Sequence, residues 1–197
     1  MEHAAHSEHY TSLGIDNRKL GMWILIASEC LLFATLIVTY LIFSRHVPEG
    51  PLPKNIFDVP VTTISTFDLL MSSFSIVLAL AAIQGGDRKK FEKWILITAI
   101  GGLIFLGFQV YEFTTFVKEG LGFTTVNWGS SFFVLTGTHG THVAVGVVWL
   151  LSLYFTSKNG GLTKDAALKV DTMALYWHFV DVIWIIIFTV VYLFVYV

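Results

Sequence analysis

The chain has 197 residues, of which 55% are hydrophobic and only 13% charged; a soluble domain carries about 25% charged residues, so this composition reads as an integral membrane protein. A formal net charge of −2 offers no basic stripe to neutralise phosphates and argues against nucleic acid as a partner. The single cysteine, Cys30, excludes an internal disulfide and any multi-cysteine zinc or iron–sulfur site; inside an apolar run it is expected to serve packing.

Residues 1–17 read as a polar cytoplasmic tail with no apolar h-region, so the first span is expected to act as its own anchor. His3, His6 and His9 recur there at every third position, and a solvated tail is the simpler reading than a metal site. Arg18 and Lys19 mark a membrane edge, and the predicted five-helix membrane domain, 18–197, begins there. Its spans are expected at about 20–43, 61–83, 94–117, 129–155 and 172–197, because ~20 apolar residues at about 1.5 Å rise cross a hydrocarbon core of ~30 Å. Pro48, Pro51, Pro53 and Pro60 fall together after the first span, which keeps that loop from being helical throughout. Asp68 is expected near one end of the second span, within reach of water or headgroups.

The side shared by the amino-terminal tail, the loop between spans two and three and the loop between spans four and five holds Arg18, Lys19, Arg88, Lys89, Lys90, Lys93, Lys158, Lys164 and Lys169. The other side holds Arg45, Lys54 and Lys118. Basic residues accumulate on the cytoplasmic side of short loops, which predicts the amino terminus inside and the carboxyl terminus outside. Trp23, Trp94, Trp128, Tyr176 and Tyr196 stand near span ends and are expected to be interfacial anchors. Trp177 and Trp184 are expected to pack within a complex.

Few polar residues lie well inside the spans: Glu29, Gln109, Glu112, His139, His142, His178 and Asp181. A charge at mid-membrane costs about 2.5–3.5 kcal/mol, so each should face the bundle and find a partner or be neutral. Depth alone groups Glu29 with His178 or Asp181 in the inner half and Glu112 with His139 in the outer half, with His142 between the two clusters. The reading divides three ways at this point. The groups are helix-to-helix hydrogen bonds that fix register, or a proton relay, or a compact non-haem metal site of His139, His142 and Glu112. His139 and His142 sit beside Gly137, Gly140 and Thr141, a face that accepts a close helix neighbour.

Several stretches together resemble subunit III of the haem–copper respiratory oxidases. They are ASECLLF (27–33), FQVYEF (108–113), GLGFTTVNWGSSFF (120–133) running into VLTGTHGTHVAVGVVWLL (134–151), and YWHFVDVIW (176–184). The resemblance covers about residues 15–195, and the pairing of GTHGTHV with WHFVDVIW is what makes it specific. It implies a short, five-helix bacterial form in the plasma membrane: a non-catalytic subunit of a proton-pumping terminal oxidase, beside subunit I and with subunit II and other small subunits. Glu29, Glu112, His139, His142, His178 and Asp181 would match the family's buried polar residues. The resemblance also implies no cofactor in this chain, haem and copper in the partner subunits, support of proton uptake, and bound structural phospholipid. Cytochrome c is the favoured electron donor and quinol the alternative. An independent proton or ion transporter is the alternative of a different class, although neither internal repeats nor broken helices are apparent.

Overall fold

The computed structural model describes residues 16–45, 58–161 and 167–194. Expectations placed on 1–15, on Pro48, Pro51 and Pro53, on Lys164 and on Tyr196 lie outside the described residues. Five helices are long and apolar enough to cross a membrane: α1 (Asn17–Ser44), α2 (Val59–Gln84), α3 (Arg88–Lys118), α4 (Asn127–Lys158) and α5 (Ala167–Ile187), the last running on through a widened π-helical turn, Phe188–Leu193. Each of the first four extends past the apolar window read from the sequence, and polar side chains cap the starts of α1, α2 and α3. Asp16, Asp58 and Asp87 accept the Arg18, Val61 and Lys90 N–H groups at 2.8, 3.4 and 3.0 Å, which satisfies donors that the first turn leaves open. Pro60 is part of the first turn of α2 rather than of the preceding loop, a position where its missing N–H costs nothing.

The opposite ends follow one pattern. Gly86, Gly120 and Gly160 take φ of 77°, 91° and 79° after α2, α3 and α4, and the next residue donates back into the last turn: Asp87 to Ala82 O, Leu121 to Phe116 O and Gly161 to Thr156 O, at 2.9, 2.9 and 3.0 Å. These are Schellman closures, and glycine is what permits the left-handed residue.

α2 and α3 form a tight antiparallel pair, α3 also packs on α4, and α5 lies against α2, α4 and α1. α1 packs chiefly on α4 and α5 and buries the smallest share of its apolar window. At the end shared by the α2–α3 turn, ion pairs join the helices. Lys19 meets Asp171 at 2.7 Å, and Arg88 and Lys158 both meet Glu92, at 2.8 and 3.4 Å. Arg88 also donates to the Lys158 carbonyl at 2.8 Å, closing the end of α4.

Several expectations about single residues are corrected here. Trp128 and Tyr176 are buried rather than interfacial, since both point into helix contacts. Trp177 and Trp184 are buried within this chain itself, each indole N–H donating to α2, to Ser72 Oγ at 3.0 Å and to Thr66 Oγ1 at 2.9 Å. Cys30 is exposed rather than packed, on the outward face of α1. Asp68, the tenth residue of α2, is half-buried, which leaves its expected place near one end of the span standing, and one of its carboxylate oxygens is buried without a partner among the described residues.

Glycine makes the central packing close. A Cβ on Gly102 would lie 2.6 Å from Val147 Cγ2 and 2.7 Å from Trp177 Cη2, and one on Gly146 would lie 2.6 Å from Trp177 Cζ3. Gly137 has nothing within 4 Å of the same construction. Gly146→Val should therefore destabilise the bundle by about 1–3 kcal/mol, as overpacking does, while Gly137→Ala should leave it nearly unchanged. Thermal or denaturant unfolding in detergent measures both.

Candidate functional site: the buried polar contacts

Most of the polar residues singled out within the spans join two helices in pairs, and they do not gather into the expected clusters. Glu29 of α1 meets His142 of α4, with Oε2 3.2 Å from Nε2. The other ring nitrogen, Nδ1, is 2.8 Å from Thr138 O. A carbonyl only accepts, so Nδ1 carries a proton. The Nε2 contact with the carboxyl then needs one proton more, held by His142 or by Glu29. The Tyr176 hydroxyl donates to His142 O at 3.0 Å, tying α5 to the same turn of α4. Both partners are partly open, at 22% and 19% side-chain exposure, and they line a lateral cleft with Leu25, Thr141, Val145 and Tyr176.

His139 lies one turn away in a different setting. It is fully buried, its Nε2–H donates to Val180 O at 3.2 Å, and Nδ1 has no partner among the described residues. Phe105 and Trp184 enclose the ring, the latter tilted by 32° at 4.8 Å. Gln109 of α3 donates to Thr136 O at 2.6 Å and fits over Gly140. Glu112 accepts from Thr62 of α2. His178 Nδ1 and Ser73 Oγ stand 2.6 Å apart. Asp181 is buried with no hydrogen bond to either oxygen among the described residues; Ser73 is its polar neighbour, and that hydroxyl is engaged with His178.

The expected pairings are thus rearranged. Glu29 binds His142, not His178 or Asp181, and Glu112 binds Thr62, not His139. The cause is azimuth, the direction a residue faces around its helix, which depth does not fix. Trp177, Asp181 and Trp184 share one side of α5, and the indole contacts turn that side towards α2. Glu112 faces the same helix. The compact metal arrangement of His139, His142 and Glu112 does not form, since His139 turns to α5 and Glu112 to α2. No three of His, Cys, Asp and Glu converge among the described residues. The partners missing from the sequence reading are backbone carbonyls, as at Thr136 and Val180, and hydroxyls, those of Thr62, Thr66, Ser72, Ser73 and Tyr176. The signal for the four on α2 was the density of Ser and Thr along that helix, where buried Thr62, Ser65, Thr66, Ser72 and Ser75 recur at helical spacing.

The one-proton contact between Glu29 and His142 makes a testable distinction. Glu29→Gln keeps a donor for the Nε2 lone pair and should leave the attachment of α1 within about 0.5 kcal/mol of the parent. Glu29→Ala should weaken it by about 1–2 kcal/mol, the upper range for hydrogen bonds between membrane helices. Unfolding in detergent or cross-linking of α1 to α4 reads the difference.

Comparison with known proteins bears on what such a bundle does. The family described as cytochrome c oxidase subunit III matches residues 1–196. Among curated relatives, the chain is 42% identical over 189 residues to the cytochrome c oxidase subunit 3 of Bacillus sp. (strain PS3), covering 96% of this chain and 91% of that one. It is 40% identical over 195 residues to a probable quinol oxidase subunit 3 of Staphylococcus saprophyticus, covering 98% and 96%. It is 40% identical over 199 residues to the quinol oxidase subunit 3 of Bacillus subtilis, covering 98% and 97%.

Proposed function

Since the chain belongs to the cytochrome c oxidase subunit III family, we propose that it is the non-catalytic third subunit of a bacterial, proton-pumping terminal oxidase in the plasma membrane. It stabilises the catalytic subunit and supports its proton uptake. In this reading subunit I is the direct neighbour, subunit II and other small subunits complete the complex, and haem and copper reside in the partners. The amino terminus faces the cytoplasm and the carboxyl terminus the outside, as the distribution of basic residues indicates.

The observation that carries the reading is the form of the polar contacts. Four of the amide and ionisable side chains within the spans each join two helices: Gln109 to Thr136, Glu112 to Thr62, His139 to Val180 and His178 to Ser73. Contacts of this kind hold register in a bundle where lipid removes the hydrophobic drive for association. They support a scaffold. The Glu29–His142 pair differs, because it is partly open and holds one shared proton, and it is the group placed to exchange protons with a neighbouring surface. The same lateral opening suits a bound structural phospholipid.

Cytochrome c is the favoured donor, in line with the relative of Bacillus sp. (strain PS3). The quinol oxidase relatives at 40% identity carry the second reading.

Purification through a tag on this chain should bring down haem–copper subunits that consume oxygen. Reduced cytochrome c should sustain that turnover and quinol should not; the reverse outcome assigns a quinol oxidase. Complexes lacking the chain should begin at nearly the parent rate and lose activity as turnover proceeds, whereas unaltered endurance would refute the supporting role.

A further inference from the structure

α2 and α3 meet closely at a glycine. A Cβ on Gly101 would lie 2.9 Å from Ser72 Cβ and 3.9 Å from Asp68 O, so little separates the two backbones along this seam. Ile64 and Met71 flank Asp68 on its outward side, four residues before it and three after, and Ile97 and Ile104 stand in the same relation to Gly101. All four are exposed. Within this apolar surface Asp68 has no hydrogen bond or ion pair among the described residues, and its Oδ2 is buried. The seam itself supplies no donor. The hydroxyls one turn away, Ser65 and Ser72, are turned back on Thr62 O and Leu69 O at 3.0 and 2.6 Å, and the N–H groups of a helix interior are bonded within their own helix.

We infer that the outward seam of α2 and α3 seats a transmembrane helix of another chain, and that this helix carries a lysine or arginine paired with Asp68. Asp68 is the tenth residue of α2, about 14 Å along the axis from its start, in the half of the hydrocarbon layer nearer that start. An acid in that layer calls for a partner, and charge complementarity makes the partner a cation. A long basic side chain fits the place, since it lays its methylenes along the isoleucines and brings only its charged head to the carboxylate. A second copy of this chain does not supply that cation. Its basic residues in the described helices fall at 18–19, 88–93, 118, 158 and 169, none at this depth. A copy related by an axis along the bilayer normal presents each residue at its own level, and His178, opposite Ser73, is five residues beyond Asp68 along α2, about 7.5 Å away in depth. The inference requires that the chain has membrane partners, not that they are haem–copper subunits.

The test places a photoreactive maleimide on Met71→Cys in a Cys30→Ser background, purifies the tagged chain with the subunits that accompany it, illuminates the complex and sequences the joined peptides by mass spectrometry. The label should join an apolar span of another chain with a Lys or Arg within one turn of the joined residue. Asp68→Leu should then weaken retention of that chain roughly 5- to 30-fold in a detergent titration, as loss of a polar contact between membrane helices does, while Asp68→Glu keeps most of it. Replacing the partner's cation by Leu should cause the same loss, and combining it with Asp68→Leu should add nothing further. Labelling of lipid or of a second copy alone overturns the seat, and so does a joined span without Lys or Arg. Retention of the partner by Asp68→Leu at the parent level overturns the role of the carboxyl. Retention by Asp68→Asn at the parent level overturns the charge pair in favour of a neutral hydrogen bond. Absence of haem–copper subunits from the purified complex would refute the oxidase reading while leaving the identity of the labelled helix readable, so the two failures are distinct.

Discussion

The Trp177 indole is the contact on which the arrangement of four helices depends. It projects from α5, donates its N–H to Ser72 of α2, and lies where side chains on Gly102 of α3 and Gly146 of α4 would stand. In a bilayer the lipid tails are as apolar as the helices, so close packing and satisfied polar groups must supply the attraction that water would otherwise drive. A large ring seated against two glycines gives the first, and the indole N–H gives the second. The direction of this one side chain also sets the azimuth of α5. Asp181 and Trp184, one and two turns further along, are thereby turned to α2 as well, and Val180 is turned to His139.

α1 stands apart from that centre. It is joined to the others by the Glu29–His142 contact and by the Lys19–Asp171 pair, with Phe33 reaching the His142 ring at 5.1 Å. Much of its surface is apolar and outward, from Trp23 and Ile24 to Leu31 and Val38. An arrangement of four interlocked helices with a fifth laid against them suits a subunit whose neighbours in a larger complex complete its packing.

The fold was legible in the chain because each span is a long apolar run and most ends are marked by an Asp cap, a glycine or basic residues, all local signals. The first four helices proved longer than the apolar windows, running into polar sequence that Asp side chains cap at the starts of α1, α2 and α3. The identities of the polar residues inside the spans were equally legible, but their partners were not. Glu29 and His178 share a depth and never meet, because depth is one coordinate and pairing needs the rotation of each helix as well. The hydroxyl partners were overlooked for a related reason: Ser and Thr are tolerated anywhere in a membrane helix, bonded to their own carbonyls as Thr66 is to Thr62 O, so that Thr66 gives little hint that it also receives the Trp184 indole. Cys30, Trp128 and Tyr176 failed on the same coordinate, each assigned to a face by its neighbours in sequence rather than in space.

The order of the helices in space has a consequence for biosynthesis. α2 and α3 are adjacent in the chain and in the bundle, so they close on each other as soon as both are inserted. α1 has its contacts with α4 and α5, and Glu29 is separated from His142 by 113 residues. At a synthesis rate of about 5–20 residues per second, the first span rests in lipid with its carboxyl unpartnered for roughly 5–20 s before the residue that receives it is made. The newborn protein therefore passes through a stage in which one of its helices is already in the membrane but not yet part of the structure, and in which a membrane chaperone or a sister subunit has its longest opportunity to take hold of it.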